Sequence, residues 1–419
     1  MEKDKLIKPL FLLFVFFLPF HYALTFKLGF NIKVSEVCMC LLIILLHKEI
    51  FTHFKKLVIQ EKIFALFVIW TTISFFVNYF YQYDYTLGTV PHRFGKEFDA
   101  VSKLLYLYFI FLGFIIFHIL VPKFGKKSIT FFEFGIYTAC AYTWYLAIVS
   151  IQEKTPFLLP GMDDFPQHSL LSIGHFIRCG TFKEGNHMGL LLLISFFVGI
   201  QYKRWLLVVI SLLTLLPTVS TMALLCVAIF IIIKALIYIS NHGYKWLLIP
   251  SIIITFCLFY SLRNNQDVKL LVIQKIFPEK ENTDYSKDWG AFSKAQRLNY
   301  MRVATKIFSD NPFFGVGIAN YGLHFDHYNQ FPETKYQKIK PYKPITNNVY
   351  FEILAEQGII GLILFCCLFV VVYKNSIHYP LNFGLLSVLI YFIAYPSYTL
   401  FFVFWFVVIN NQSLENSID

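Results

Sequence analysis

Apolar runs of membrane-spanning length recur along this chain, and that repetition constrains the fold more than any single motif. Segments of about 17–25 apolar residues cross a bilayer as helices, because hydrocarbon offers no partner for backbone N–H and C=O groups. Twelve runs are predicted, near 9–26, 34–47, 63–80, 104–121, 129–151, 187–201, 205–218, 220–239, 246–262, 357–373, 381–396 and 398–411. Several are short or nearly fused, and Pro217-Thr218-Val219-Ser220-Thr221 is the expected tight turn between two of them. Only 15% of the 419 residues are charged, against about a quarter in soluble domains, so solvated groups cannot cover the surface. The first run is too long for a signal-peptide core and lacks a small-residue cleavage site, so it reads as a retained span.

Orientation follows from lysine and arginine on the short loops. With the N-terminus inside, Lys3, Lys5, Lys8, Lys48, Lys55, Lys56, Lys62, Lys123, Lys126, Lys127, Lys203, Arg204, Lys234, Lys245 and Lys374 fall on inner segments. About half as many fall outside, Lys103 and Arg178 among them. The expected organisation is an all-α integral membrane protein. Its parts are a bundle over 1–262 of about nine helices with an outer loop at 152–186, a large outer loop at 263–348, and terminal spans over 349–419. The large loop carries thirteen Lys+Arg against eight Asp+Glu, which suits an anionic ligand or headgroup layer. Seven of the eight cysteines sit in apolar runs, so neither a disulfide framework nor a zinc cluster is supported. No metal or cofactor is implied.

The polar excursion is where chemistry is expected, since irregular backbone must lie at a water interface. Residues 291–308 have helical period, with Phe292, Ala295, Leu298, Met301, Ala304 and Phe308 as the apolar stripe. Arg297 shares a side with Lys294 and Met301, whereas Arg302 points about 140° away, one turn before Lys306. Arg302 therefore reads first as a headgroup-facing or solvated charge and second as a substrate contact. Asn311-Pro312 ends that helix, and Gly315 and Gly317 permit a turn; no strand precedes them, so nucleotide binding is not supported. Asn347 or Asn348 is an N-cap for the next helix, with Glu352 in its first turn and Glu356 four residues on. The carboxylates read equally as a general base and as dipole complements. His324 and His327 are further base candidates, and His187 reads as structural. In the first outer loop Arg178 offers a bidentate fork, with Gly180 and Gly185 allowing close backbone approach to a ligand.

Three stretches together resemble the O-antigen ligase and Wzy-type polymerase superfamily. They are Arg178-x-Gly180-Thr181-Phe182-x-x-x-Asn186, Arg297 ahead of Asn311-Pro312-x-x-Gly315-x-Gly317, and Asn347-Asn348-x-Tyr350-x-Glu352-x-x-x-Glu356-x-Gly358-Ile359-Ile360-Gly361. The resemblance implies a GT-C-like helical glycosyltransferase in the bacterial inner membrane with its active site on the extracytoplasmic face. The implied donor is an undecaprenyl-diphosphate-linked oligosaccharide, and the leaving diphosphate would be held by Arg178 and Arg297. Asn186, Arg302, Asn347, Asn348 and Tyr350 are then the substrate-binding candidates, with the bilayer and a chain-length regulator as partners and no nucleic acid. Two departures favour a polymerase over a ligase. The ligase histidine before the loop-end asparagine is replaced by Asn347 or Thr346, and Ser220 is followed by Thr221 and Met222 rather than by an arginine. A lipid-linked oligosaccharide flippase is the reading from another class; few charged residues, mainly Glu36 and Glu133, fall within predicted spans, which argues against it.

Overall fold

The computed structural model describes residues 2–27, 31–81, 100–162, 166–171, 174–241, 289–329, 344–376 and 379–411. The expected span at 246–262 lies outside the described residues. The apolar runs form helices: α1 (Glu2–Phe17), α2 (Val34–Leu45), α3 (His47–His53), α4 (Ile59–Tyr81), α5 (Ala100–Ile151), α6 (Gly185–Gln201), α7 (Trp205–Thr218) and α8 (Thr221–Asn241). The later helices are α9 (Trp289–Asp310), α10 (Tyr321–Tyr328), α11 (Val349–Asn375), α12 (Tyr379–Tyr391) and α13 (Phe401–Asn410). Among the described residues four helices, within α4, α5, α8 and α11, are long and apolar enough to cross a membrane, and five shorter apolar helices accompany them.

Two expectations are displaced by local chemistry. The first span ends at Phe17 rather than near 26, because Pro19 pushes its predecessor out of the helical region. The chain beyond it forms an antiparallel pair, β1 (Thr25–Lys27) with β2 (Asn31–Lys33). A second pair, β3 (His168–Leu171) with β4 (Gly174–Ile177), lies in the outer loop at 152–186, so the fold is not the purely helical one expected.

The expected spans 104–121 and 129–151 fall within the single 52-residue helix α5. A straight helix of that length would run about 78 Å, well beyond a bilayer core of roughly 30 Å. It is not straight. Phe124 and Phe117 pack on Phe11 and Phe14 of α1 in opposite chain directions, with ring centroids 6.3 and 5.5 Å apart, yet Gly135 lies against the Phe16 carbonyl. Residues near 112 would face Phe16 on a rod, so α5 turns back near Pro122, where the ring removes a helical hydrogen bond.

At the centre stands α13, all ten of whose residues are buried, as expected for a helix apolar on every side. Phe404 stacks on Phe64 at 4.8 Å and Trp405 lies 4.4 Å from Phe132. The bundle has two polar ends. One carries the Lys3–Glu49 pair at 2.8 Å and a buried Glu61 between His53 and His118. At the other, Thr181 donates to the Pro19 carbonyl at 2.6 Å, Ser220 meets Tyr391, and the 311–317 segment docks on α11.

Candidate active site

The last motif lies on a broken helix. Within α11, Gly358 has φ 68° and ψ −168°, a conformation open in practice to glycine alone. A Cβ there would lie 2.1 Å from the Phe313 carbonyl oxygen. The break frees carbonyls that the segment 312–317 then satisfies. Val316 N–H donates to Ala355 O (2.9 Å), Gly317 N–H to Glu356 O (2.8 Å), and Ile359 N–H to Pro312 O (2.9 Å). From α4, Trp70 Nε1 donates to Gln357 O at 2.9 Å, and Ser74 donates to Phe314 O at 2.6 Å. The segment after Asn311-Pro312 is thus a backbone splint across the break, and Gly358 is the residue that permits it.

Ahead of the break, the two carboxylates of α11 lie four residues apart on one face and meet one partner. Lys103, on α5, places Nζ 2.5 Å from Glu352 Oε1 and 3.1 Å from Glu356 Oε2. Both carboxylates are buried. Glu356 Oε1 also accepts from the Tyr321 N–H at 3.3 Å, so both its oxygens are engaged. Among the described residues Glu352 Oε2 is buried without a hydrogen-bond donor; the nearby Thr346 hydroxyl donates to the Asn348 carbonyl at 2.9 Å. An unsatisfied buried carboxylate oxygen costs free energy and so marks a place for a donor.

The arginine motif closes the loop before α6. The N–H of Arg178 donates to Gln167 O at 3.0 Å, and the Gln167 side chain accepts from Gly185 N–H at 2.8 Å. The guanidinium reaches Asn186 Oδ1 at 3.5 Å, while Nε is buried with no acceptor. Burial lowers its proton affinity below the usual arginine range; Glu184 opposes this, and the nearby Arg297 cation adds to it. The room left by Gly180 and Gly185 is taken by the protein rather than by a ligand: a Cβ on them would meet Thr143 Oγ1 and the Thr218 carbonyl, each at 2.4 Å.

Arg297 arrives from α9, and its charge and that of Arg178 both act on the Tyr391 hydroxyl. That hydroxyl lies 2.6 Å from Ser220 Oγ and donates to the Asn186 carbonyl. From Tyr391 the chain runs along the site floor. Tyr395 packs on the His187 ring at 4.6 Å, and Tyr398 accepts from Gln357 Nε2 at 2.9 Å beside the carboxylates. All three tyrosines are fully buried. The segment 391–398 therefore links a cationic cluster built on Arg178 and Arg297 to the Lys103, Glu352 and Glu356 cluster.

The remaining predicted residues divide clearly. Asn348, not Asn347, is the N-cap of α11, its Oδ1 accepting from Tyr350 N–H (3.0 Å) and Phe351 N–H (3.2 Å). Asn347 has φ 53° and forms the turn before the cap. Tyr350 donates to the Leu389 carbonyl at 2.7 Å, tying α11 to α12. Arg302 is exposed, on a different side of α9 from the buried Tyr300, Val303, Ala304 and Ile307. That buried stripe is rotated from the expected one, leaving Leu298 43% exposed, because α9 packs on Tyr321, Phe325 and Ala355 rather than lying on lipid alone. His324 is half-buried on α10, and burial, helped by His327, pushes its imidazole down to about 4, so it is a weak base at neutral pH.

Sequence reasoning missed Lys103 and the three tyrosines. Their signal was faint: a lysine at the start of an apolar run reads as topology, and tyrosines in a terminal span read as an interfacial belt. No curated protein matches the chain significantly. Residues 176–366, which hold Arg178, Arg297, the splint and both carboxylates, match the family described as O-antigen ligase.

Proposed function

We propose that this membrane protein is a surface-polysaccharide polymerase. It transfers a growing glycan from undecaprenyl diphosphate to a hydroxyl of the next lipid-linked repeat unit on the extracytoplasmic face of a bacterial inner membrane, within a GT-C-like bundle. The observation that carries this reading is the buried Arg178 guanidinium, whose Nε has no acceptor among the described residues, with the Arg297 cation near enough to act on it. As the bond from the anomeric carbon to the diphosphate breaks, negative charge grows on the departing oxygen, and preorganised cations in a dry site stabilise it. Asn186 and Tyr391 hold that end of the site in place. The attacking hydroxyl needs a proton acceptor, and Glu352 is the candidate with a spare buried oxygen.

Polymerase is preferred to ligase because the loop-end position holds no histidine. Thr346 is buried in a hydrogen bond to Asn348, and Asn347 shapes the turn. The test is to incubate the purified protein with lipid-linked repeat units, with and without lipid A-core. Chain lengthening and release of polyprenyl diphosphate without the core acceptor are expected. Transfer that occurs only when the core is present would establish a ligase instead.

A further inference from the structure

We propose that Lys103 is the positioning residue for acceptor activation, fixing the Glu352 carboxylate so that Oε2 takes the proton of the attacking hydroxyl. This rests on the glycosyltransfer reading above. Lys103 projects from α5, outside all three recognised motifs and outside the matched range 176–366, so nothing assigns it a role. Its ammonium is largely buried, its side chain 14% exposed, and it touches one oxygen of each carboxylate, Glu352 Oε1 at 2.5 Å and Glu356 Oε2 at 3.1 Å.

The arrangement is asymmetric in a way that assigns roles. Glu356 spends its second oxygen on the Tyr321 N–H, so it is anchored from both sides. Glu352 spends only Oε1 and keeps Oε2 buried without a donor. An ammonium held by two carboxylates sets the plane of each, because charge-assisted hydrogen bonds are short and directional. Lys103 thereby leaves one oxygen, on one carboxylate, without a partner among the described residues. The step balances without a further reagent: the hydroxyl oxygen bonds to the anomeric carbon, its proton passes to Glu352 Oε2, and the carbon–oxygen bond to diphosphate breaks with its electron pair leaving on the diphosphate. Regeneration needs only loss of that proton to solvent.

The experiment measures polyprenyl diphosphate release by the full-length protein in proteoliposomes supplied with lipid-linked repeat units. Glu352→Gln is expected to lower kcat about a hundredfold, the scale of general-base loss. Lys103→Gln should fall by about thirtyfold in kcat with the donor KM within about threefold, because base geometry and not donor binding is lost. Lys103→Arg should recover most of the rate. The double variant Lys103→Gln with Glu352→Gln should be no slower than Glu352→Gln alone, since groups acting as a unit are not additive. Multiplying effects in that double variant, or a Lys103→Gln enzyme of normal kcat, would overturn the proposal. Should Lys103→Gln fail to fold, Lys103→Gln with Glu356→Gln keeps the charge of the cluster unchanged; it should show the same kcat loss, and normal kcat there overturns the proposal equally. A wild-type protein that releases no polyprenyl diphosphate would instead refute the glycosyltransfer reading itself.

Discussion

Arg178 is a cation largely taken out of water, with the Glu184 carboxylate opposing the loss of its proton. On the proposed reading, that burial serves the binding of the leaving diphosphate. Arg178→Ala should lower glycan transfer about a hundredfold, or about 3 kcal/mol at the transition state, as for loss of an oxyanion donor. Arg178→Lys should remain impaired, because a point charge cannot reproduce the fork. Both are read as polymer length and rate at matched protein level, and a normal product with Arg178→Ala would remove it from the mechanism. Arg297→Ala should behave like Arg178→Ala, whereas exposed Arg302→Ala should give nearly normal polymer; the reverse order would mean that Arg302 holds the diphosphate. His324 carries a separate, structural prediction. Its folded value near 4 lies below the 6.5 of the unfolded chain, so between these values the unfolded state binds more protons. The stability it contributes is complete above about 6.5 and is lost as pH falls toward 4. Thermal unfolding in detergent from pH 7 to 4 should show this decline, and His324→Gln should flatten it; equal slopes would contradict the burial argument.

At the level of elements, the break in α11 should be intolerant of a side chain. Gly358→Ala places a Cβ on backbone atoms in a region closed to other residues, and a loss of about 3 kcal/mol or more is expected. The measurement is the thermal midpoint of the purified protein together with transfer rate; an unchanged midpoint would mean that the helix closes over the break. The existence of this device shows what sequence can and cannot carry. Asn311-Pro312 announced the end of α9, and Asn348 announced the start of α11, since caps and prolines act locally. That residues 312–317 would hydrogen-bond to 355–359 left no periodic trace, because those contacts run through backbone atoms that every residue has. The same holds for Lys103, whose partners lie on another helix. The rotated face of α9 has a different cause. The stripe was legible, but its partner was not, and Leu298 was traded for Tyr300 and Ile307 once α10 supplied Phe325.

For the whole molecule, the mainly helical, apolar character was readable because hydrocarbon enforces it, though among the described residues four helices are long and apolar enough to cross a membrane; the arginine and carboxylate segments gather at one end of the bundle while the Lys3–Glu49 pair and Glu61 mark the other. Which end faces the cytoplasm is testable. A single cysteine replacing exposed Asp310 should react with a membrane-impermeant thiol reagent in intact spheroplasts, and one replacing exposed Lys55 only after lysis. The opposite pattern would place the site on the wrong side of the membrane. The splint across α11 also limits how such a protein can be recombined. Its two halves are far apart in the chain but share three backbone hydrogen bonds, so a crossover placed between residues 317 and 355 would join a loop from one parent to a broken helix from another. Hybrids cut there inherit the mismatch at the carbonyls of Ala355 and Glu356, while hybrids that exchange the two stretches together keep it whole, which makes the pair a single heritable part.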